Sequence, residues 1–302
     1  MYDVCVIGHV TKDRICIPGR EDHELPGGTA YYVSRAWAAL GRSACVVTKV
    51  APEDDEALLG DLRARGIHVF NRGSRHTTVF ENRYSGEHLS ERHQRVLSLA
   101  DPFEVEDLAG IAARAVHVGP LTRAEVPLSM YRLLPGVAPL VGLDGQGLLR
   151  VLGGSEVRLA PADDLQAVLP YVHVLKVDDT EAEIMVGEAD PMAASAALAA
   201  RGVREVLMTF ADQGSAVRAD GRVARIPAVP PLEEVDATGC GDTFVAAYLH
   251  ARLAGRGPED AAHFAAAAAS LKLSHYGPFE GTEAEVDAHA ASAPVRGGRG
   301  GA

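Results

Sequence analysis

The 302-residue sequence predicts an α/β protein with a doubly wound, mostly parallel sheet flanked by helices and a small β lid. Three observations predict it. Short apolar runs that end in glycine or an acid, such as "YDVCVIG", "ACVVTKV", "PLVGLDG" and "VHVLKVD", read as buried strands. Segments of helical period separate them, which implies parallel strands. Two stretches, "KDRICIPG" and "TTVFENRYS", alternate instead and stand outside that rhythm.

The elements follow in order. After the first strand and its alternating neighbour, "GGTAYYVSRAWAALG" is a glycine turn and a helix, with Ala30, Val33, Ala36, Trp37 and Leu40 at helical spacing and Gly41 as its stop. "DDEALLGDLRARG" is a helix with acids early and arginines late, as the helix dipole favours. From His76 to Ala100 the pattern breaks. "TTVFENRYS" reads as an antiparallel excursion that pairs with the "RICIPG" strand, and "SGEHLSERHQRV" as a solvent-facing loop or short helix. The α/β rhythm then resumes through "AVHVGPL", the helix "DTEAEIMVG", the helix "DPMAASAALAARG" and the strand "VREVLMTF". "GSAVRAD" and "GRVARIPA" form a hairpin. Two long helices follow, one headed by "GCGDTF" and one opened by Pro258. The expected organisation is one unit over 1–294, a lid from about 12–26 and 76–98, and a disordered low-complexity tail at 295–302.

The formal net charge is -12, from 29 Lys+Arg against 41 Asp+Glu. Such a balance argues against a nucleic-acid partner, which needs a basic footprint, but permits a small phosphate ligand held by backbone N–H groups. Cys5, Cys16, Cys45 and Cys240 form no CxxC pair. Buried free thiols fit a reducing cytoplasm. The N-terminus has no basic segment followed by a long apolar one, and no run of about 18 apolar residues occurs, so neither a secretory signal nor a membrane span is expected. His88 and His93 are neither spaced nor partnered as metal ligands and are assigned to a solvated surface.

The chemistry concentrates in "EVDATGCGDTF", residues 234–244. A glycine-rich turn opens a helix there. The first N–H groups of a helix lack partners and carry partial positive charge. Asp242 could simply cap the helix. Alternatively, the amides of Gly239, Cys240, Gly241 and Asp242 form an anion hole, with Asp242 as general base. Cys240 reads as a small filler, because no histidine lies beside it in sequence. No GxxxxGK(S/T), HExxH or GxSxG occurs, and the first strand lacks a GxGxxG turn.

Asp236-Ala237-Thr238-Gly239-Cys240-Gly241-Asp242 resembles the Asp-Thr-x-Gly-Ala-Gly-Asp signature of the ribokinase-like (PfkB-type) carbohydrate and nucleoside kinases, with Ala237 and Cys240 departing from it. The resemblance covers nearly the whole chain. Gly27-Gly28 matches the first signature region, and "LKVDDTEAEIMVG" the Asn-x-x-Glu segment, with Asp178 replacing asparagine and Glu181 kept. "TFADQGSAV" resembles the nucleotide-lining segment, with Ala211 where glycine is usual. The resemblance implies a ribokinase-like fold and transfer of the ATP γ-phosphate to a hydroxyl of a small acceptor. It implies nucleotide contacts at Lys176, Asp178, Thr209, Ala211, Gly214, Thr238, Gly239, Gly241 and Ala269. Asp178 and Glu181 would hold Mg²⁺, mostly through waters. A monovalent cation such as K⁺ would sit near Asp236 and the "HYGP" loop at Gly277.

For the acceptor, the resemblance points to Asp13, Gly27, Gly28 and Thr29, with Ser34 near the place of a usual asparagine. "TTVFENRY", "LADPF" and "LDGQGLLR" resemble the inositol-kinase branch, which adds Phe80, Asn82, Gln146 and Arg150 as candidate contacts. A cyclitol kinase is therefore favoured. A nucleoside kinase, using Tyr31, Tyr32 or Phe80 as a base platform, stays open, as does a catalytically silent nucleotide-binding sensor. The alternating strands suggest a lid, and their apolar face (Ile15, Ile17, Val79 or Phe80) could pair two copies into a homodimer.

Overall fold

The computed structural model describes residues 1–85 and 91–292. The chain opens with strands β1 (Tyr2–Ile7), β2 (Thr11–Cys16) and β3 (His23–Gly27), helix α1 (Thr29–Ala39), β4 (Ala44–Thr48), α2 (Asp55–Ala64) and β5 (His68–Asn71). Next come β6 (Val79–Ser85), β7 (Glu91–Ser98), β8 (Ala113–Val118), α3 (Leu128–Val137), β9 (Leu140–Asp144), the single turn α4 (Gln146–Leu149), and the hairpin β10 (Arg150–Gly153) and β11 (Glu156–Leu159). The C-terminal half holds α5 (Leu165–Val168), β12 (Val174–Asp178), α6 (Asp179–Val186), α7 (Pro191–Ala199), β13 (Glu205–Thr209) and the hairpin β14 (Ser215–Ala219) and β15 (Arg222–Ile226). Three helices close it: α8 (Cys240–Leu253), α9 (Pro258–Leu273) and α10 (Glu283–Ser292).

Nine strands form the main sheet in the order β15-β14-β13-β12-β9-β8-β1-β4-β5. From β13 to β5 every pairing is parallel, and the β14–β15 hairpin finishes one edge antiparallel. Side-chain alternation divides each buried strand between two cores. Val4 and Val6 of β1 face a cluster built with α1, α2, α8 and α9. Cys5 and Ile7 face the opposite cluster with α3, α6 and α7. Burial on both faces explains why these strands read as continuous apolar runs. It is the doubly wound architecture expected.

The second sheet has six strands, ordered β10-β11-β7-β6-β2-β3. It pairs the two alternating stretches as expected, but β2 and β6 run parallel, with Asp13 opposite Phe80 and Ile15 opposite Asn82. Both strands leave the same edge of the main sheet, after the parallel strands β1 and β5, so they continue side by side in one direction. Residues 91–98 form strand β7, not a loop or short helix. His93 is exposed, whereas His88 and the tail at 295–302 lie outside the described residues. Phe80 does not lie on an exposed apolar face. It is buried against Val96 and Leu121. Helix α3, which carries Pro135 within it, and the polar β10–β11 hairpin escaped sequence reading. No helix among the described residues is long and apolar enough to cross a membrane.

Helix α1 is anchored to α8 by Trp37. Its indole is fully buried and donates to the Ala246 carbonyl at 2.9 Å. Trp37→Ala should lower unfolding free energy by about 3–5 kcal/mol. Urea denaturation followed by far-UV circular dichroism reads this without the chain's one tryptophan as probe. A loss below about 1 kcal/mol would mean that this contact does not anchor the two helices.

Candidate active site

The parallel strands aim their carboxyl ends at one edge, where ligands bind in such sheets. Gly8, Gly119, Asp144, Asp178 and Thr209 lie at or just beyond the ends of β1, β8, β9, β12 and β13 there. Two helix N-termini enter the same edge. Helix α1 starts after Gly28 (φ 84°), and α8 after Gly239 (φ 78°). Both glycines hold left-handed backbone, which an L side chain adopts only with strain. A Cβ on Gly239 would also collide with the ring of Tyr32.

The turn before α8 is internally braced. Asp236 Oδ1 accepts the Thr238 N–H at 2.9 Å, and Thr243 N–H donates to the Gly239 carbonyl at 2.8 Å. The Cys240 N–H is taken by the Ala237 carbonyl at 3.2 Å, so it leaves the expected anion hole. Among the described residues, the amides of Gly239, Gly241 and Asp242 have no intramolecular acceptor. The Cys240 thiol packs toward the carbonyl of Ala269 at 3.7 Å. Burial raises its pKa to about 11, so it stays a neutral filler.

Asp242 sits at this helix start, half-buried, with Thr29 of α1 hydrogen-bonded to its carboxylate. Burial raises its pKa to about 6, the Asp144 charge adds to the shift, and Lys176, Thr29 and Arg150 oppose it. Lys176 rises from β12 beneath Gly241, its Nζ 3.6 Å from Asp144 Oδ2. Burial disfavours its charge, but Asp144, Glu181, Asp242 and Asp178 outweigh that and raise its pKa. The buried ammonium thus lies beside the free amides, where a phosphate would collect both.

Asp178 and Glu181 are locked into a reciprocal capping box at the start of α6. Glu181 N–H donates to Asp178 Oδ1 at 2.7 Å, and Asp178 N–H to Glu181 Oε2 at 2.9 Å. One oxygen on each carboxylate lies outside the box. Burial raises the Glu181 pKa, against the pull of Lys176. Among the described residues no group of three or more acids, histidines or cysteines could hold a metal directly. A cation bound mainly through water and substrate phosphates fits these residues, which is how Mg²⁺ is usually held.

Asp13, the residue expected to meet the acceptor, accepts from the Thr11 hydroxyl at 2.7 Å and presses against Gly27. Register puts Asp13, Asn82 and Gln94 on one face of the second sheet, and Asn82 Oδ1 accepts from Gln94 Nε2 at 3.0 Å. Gln146 starts α4 with its N–H on Asp144 Oδ1 at 3.1 Å, and Arg150 follows that turn. Tyr32 lies among Asp13, Asp236 and Asp242, and burial and those charges keep its phenol protonated.

Ser34 is turned the other way. It is fully buried, with its hydroxyl donating to the Tyr31 carbonyl at 3.0 Å. Two residues along a helix rotate by about 200°, so Tyr32 faces the site and Ser34 cannot. Tyr31 donates its hydroxyl to Asp61 at 3.1 Å, away from the site. The "TTVF" and "LADPF" stretches meet around buried His9. Thr78 Oγ1 lies 3.1 Å from His9 Nδ1, and the Asp101 carbonyl 3.2 Å from its Nε2. They join the second sheet to the body. In the loop after β13, Thr209 lies opposite Ser215, Gly214 has φ 93°, and Ala211 holds φ 48°. Sequence reading overlooked Lys272, which is wholly buried behind the turn, its Nζ 2.8 Å from the Asp236 carbonyl.

Gly239→Ala tests the turn. It should lower the melting temperature, and millimolar inorganic pyrophosphate should raise the melting temperature of the parent chain but not that of the variant. Equal stabilisation in both proteins would show that anions do not bind there.

The pfkB family carbohydrate kinase model matches residues 1–285. A ribokinase of Bacillus subtilis is 36% identical, over 92% of this chain and 94% of its own length. A cytidine kinase of Thermococcus kodakarensis is 26% identical, over 86% of this chain and 92% of its own. Among solved structures, a pyrophosphate-dependent kinase in the ribokinase family, complexed with a pyrophosphate analog and myo-inositol, superposes with a TM-score of 0.84 and 31% identity, covering 94% of this chain and 99% of that one. The ribokinase of Arabidopsis thaliana, 21% identical with a TM-score of 0.75 over 96% and 98% of the two chains, shares the fold. The chain belongs to the PfkB family of carbohydrate kinases and is a phosphotransferase.

Proposed function

We propose that the chain moves the terminal phosphoryl group of ATP to a hydroxyl of a cyclitol, in the manner of an inositol kinase. The observation that carries this reading is Asp242, hydrogen-bonded by Thr29 at the mouth of an amide-lined turn, with the Lys176 ammonium beneath it. A ring of hydroxyls suits the polar row of Asp13, Asn82 and Gln94. The nucleoside reading keeps only Tyr32 as a base platform, because Tyr31 and Phe80 are committed elsewhere.

In this mechanism Asp13, against Gly27 and Gly28, orients the acceptor, and Gln146 and Arg150 border it. The acceptor hydroxyl gives its proton to Asp242. Its oxygen forms the new bond to the terminal phosphorus as the bridging P–O bond breaks. The leaving phosphate takes that electron pair, and Lys176 with the Gly239, Gly241 and Asp242 amides stabilises its charge. Thr209, Ala211, Gly214, Thr238 and Ala269 line the donor. Mg²⁺, held through Asp178 and Glu181, would neutralise donor phosphate oxygens. The second sheet acts as a lid that excludes water from the transfer.

A second reading concerns the donor alone. Asp178 and Ala211 depart from the expected nucleotide-lining residues, while the ammonium of Lys176 lies beneath Gly241 beside the free amides. That combination suits pyrophosphate, the donor named for the 31%-identical myo-inositol-bound structure.

The test is product formation with ATP or pyrophosphate across myo-inositol, other cyclitols, ribose, fructose, adenosine and cytidine. Turnover with a cyclitol supports the proposal, and the productive donor decides between its two forms. Turnover confined to a nucleoside, or none with either donor, overturns it. Asp242→Asn should cut kcat by about 10²–10⁴-fold with donor binding retained.

The base must be ionised to act, so its pKa of about 6 sets the sign. Turnover should be full above that pH and fall about tenfold per unit below it. A flat profile between pH 5 and 7 would remove Asp242 from the role.

A further inference from the structure

Lys272 stands in the last turn of α9, and its side chain has no exposed surface. The Nζ lies 2.8 Å from the Asp236 carbonyl, 3.1 Å from the His275 carbonyl and 3.5 Å from Asp236 Oδ2. Asp236 roots the turn that ends at Asp242. The same segment is bound to the end of α9 through the backbone. Val235 and Asp236 N–H donate to the Leu273 carbonyl at 2.9 and 3.1 Å, and Leu232 and Glu233 N–H to Ser274 Oγ at 3.1 and 3.3 Å.

A buried ammonium costs several kcal/mol unless its surroundings compensate. Here two carbonyls and a carboxylate do so, in the partial negative field of a helix C-terminus. Lysine carries a compact point charge, close in kind to a bare monovalent cation. Its oxygens come from the two places where a loose cation is expected by resemblance, Asp236 and the loop at Gly277, whose neighbour His275 supplies a carbonyl. The ammonium and a free cation would compete for the same oxygens.

We propose that Lys272 is a built-in monovalent cation. It is a positioning residue that fixes the root of the 236–242 turn, so the amides and Asp242 hold their geometry without K⁺. The proposal rests on the phosphoryl-transfer reading for its effect on rate, but its binding consequence can be tested without turnover.

The first measurement uses the parent chain. Its kcat and its melting temperature should be the same in KCl, NH₄Cl and choline chloride at equal ionic strength. The second uses Lys272→Ala. A cavity of about 690 Å³ is lined in part by Leu232, Leu271, Lys272, His275, Tyr276 and Phe279, and removing the lysine side chain should open the ammonium's place to it. In choline, kcat should fall about a hundredfold, the scale of a small misplacement of catalytic groups. The acceptor KM should change far less. K⁺ or NH₄⁺ should restore at least a tenth of the lost rate and raise the variant's melting temperature over choline. Lys272→Met keeps the bulk, so it should lose rate without cation rescue. K⁺ dependence of the parent chain overturns the proposal, as does a Lys272→Ala variant whose kcat is unchanged or whose melting temperature ignores the cation. If no acceptor turns over, the melting experiment still decides the cation question, and the failure belongs to the proposed function.

Discussion

The site depends on one electrostatic arrangement: the Asp242 carboxylate held at the start of α8, among other charges and away from bulk water. Alone, that carboxylate would be costly, and its pKa rises to about 6 accordingly. What keeps it within reach of ionisation is the Thr29 hydroxyl, the Lys176 ammonium, Arg150 and the positive end of α8. Lys176 in turn is charged only because Asp144, Glu181, Asp178 and Asp242 surround it. Each group is therefore a condition for the others. The acids near Lys176 outnumber the nearby cations, so a further anion is favoured there only where it meets the free amides and the ammonium or arrives with a cation of its own.

The sheet supplies the positions. Parallel strands must end at one edge, so β9 and β12 deliver Asp144 and Lys176 as register partners. The doubly wound layers put α1 and α8 on the same face, where Trp37 ties them and their two N-termini converge. Close approach needs the absence of side chains: a Cβ at Gly119 would strike Thr29, the residue that bonds Asp242. The second sheet grows from the same edge through β2 and β6, which carry Asp13 and Asn82 without a separate linker.

His117 shows that an electrostatic neighbour need not be a functional one. It sits in β8 beside Gly142, and among the described residues its ring nitrogens have no hydrogen-bond partner. Burial lowers its pKa to about 4, with Asp144 only partly opposing. It is a neutral imidazole packed under the charged cluster, and its volume is accommodated by the glycine opposite.

The sequence by itself determined the alternation of buried strands and amphipathic helices, because hydrophobic period reports local geometry directly. It also determined the glycine turn at 236–242, since left-handed backbone at a helix start leaves a chemical trace. Which side chains meet was decided only by the tertiary structure. The inward turn of Ser34 and the reach of Tyr32 into the site depend on helix phase relative to neighbours that are distant in sequence. Lys272 shows this most plainly. In the sequence it is a lysine near the end of an alanine-rich helix, and its partner Asp236 lies 36 positions away. Coulomb interactions act through space, so their partners are set by packing and leave no period to read.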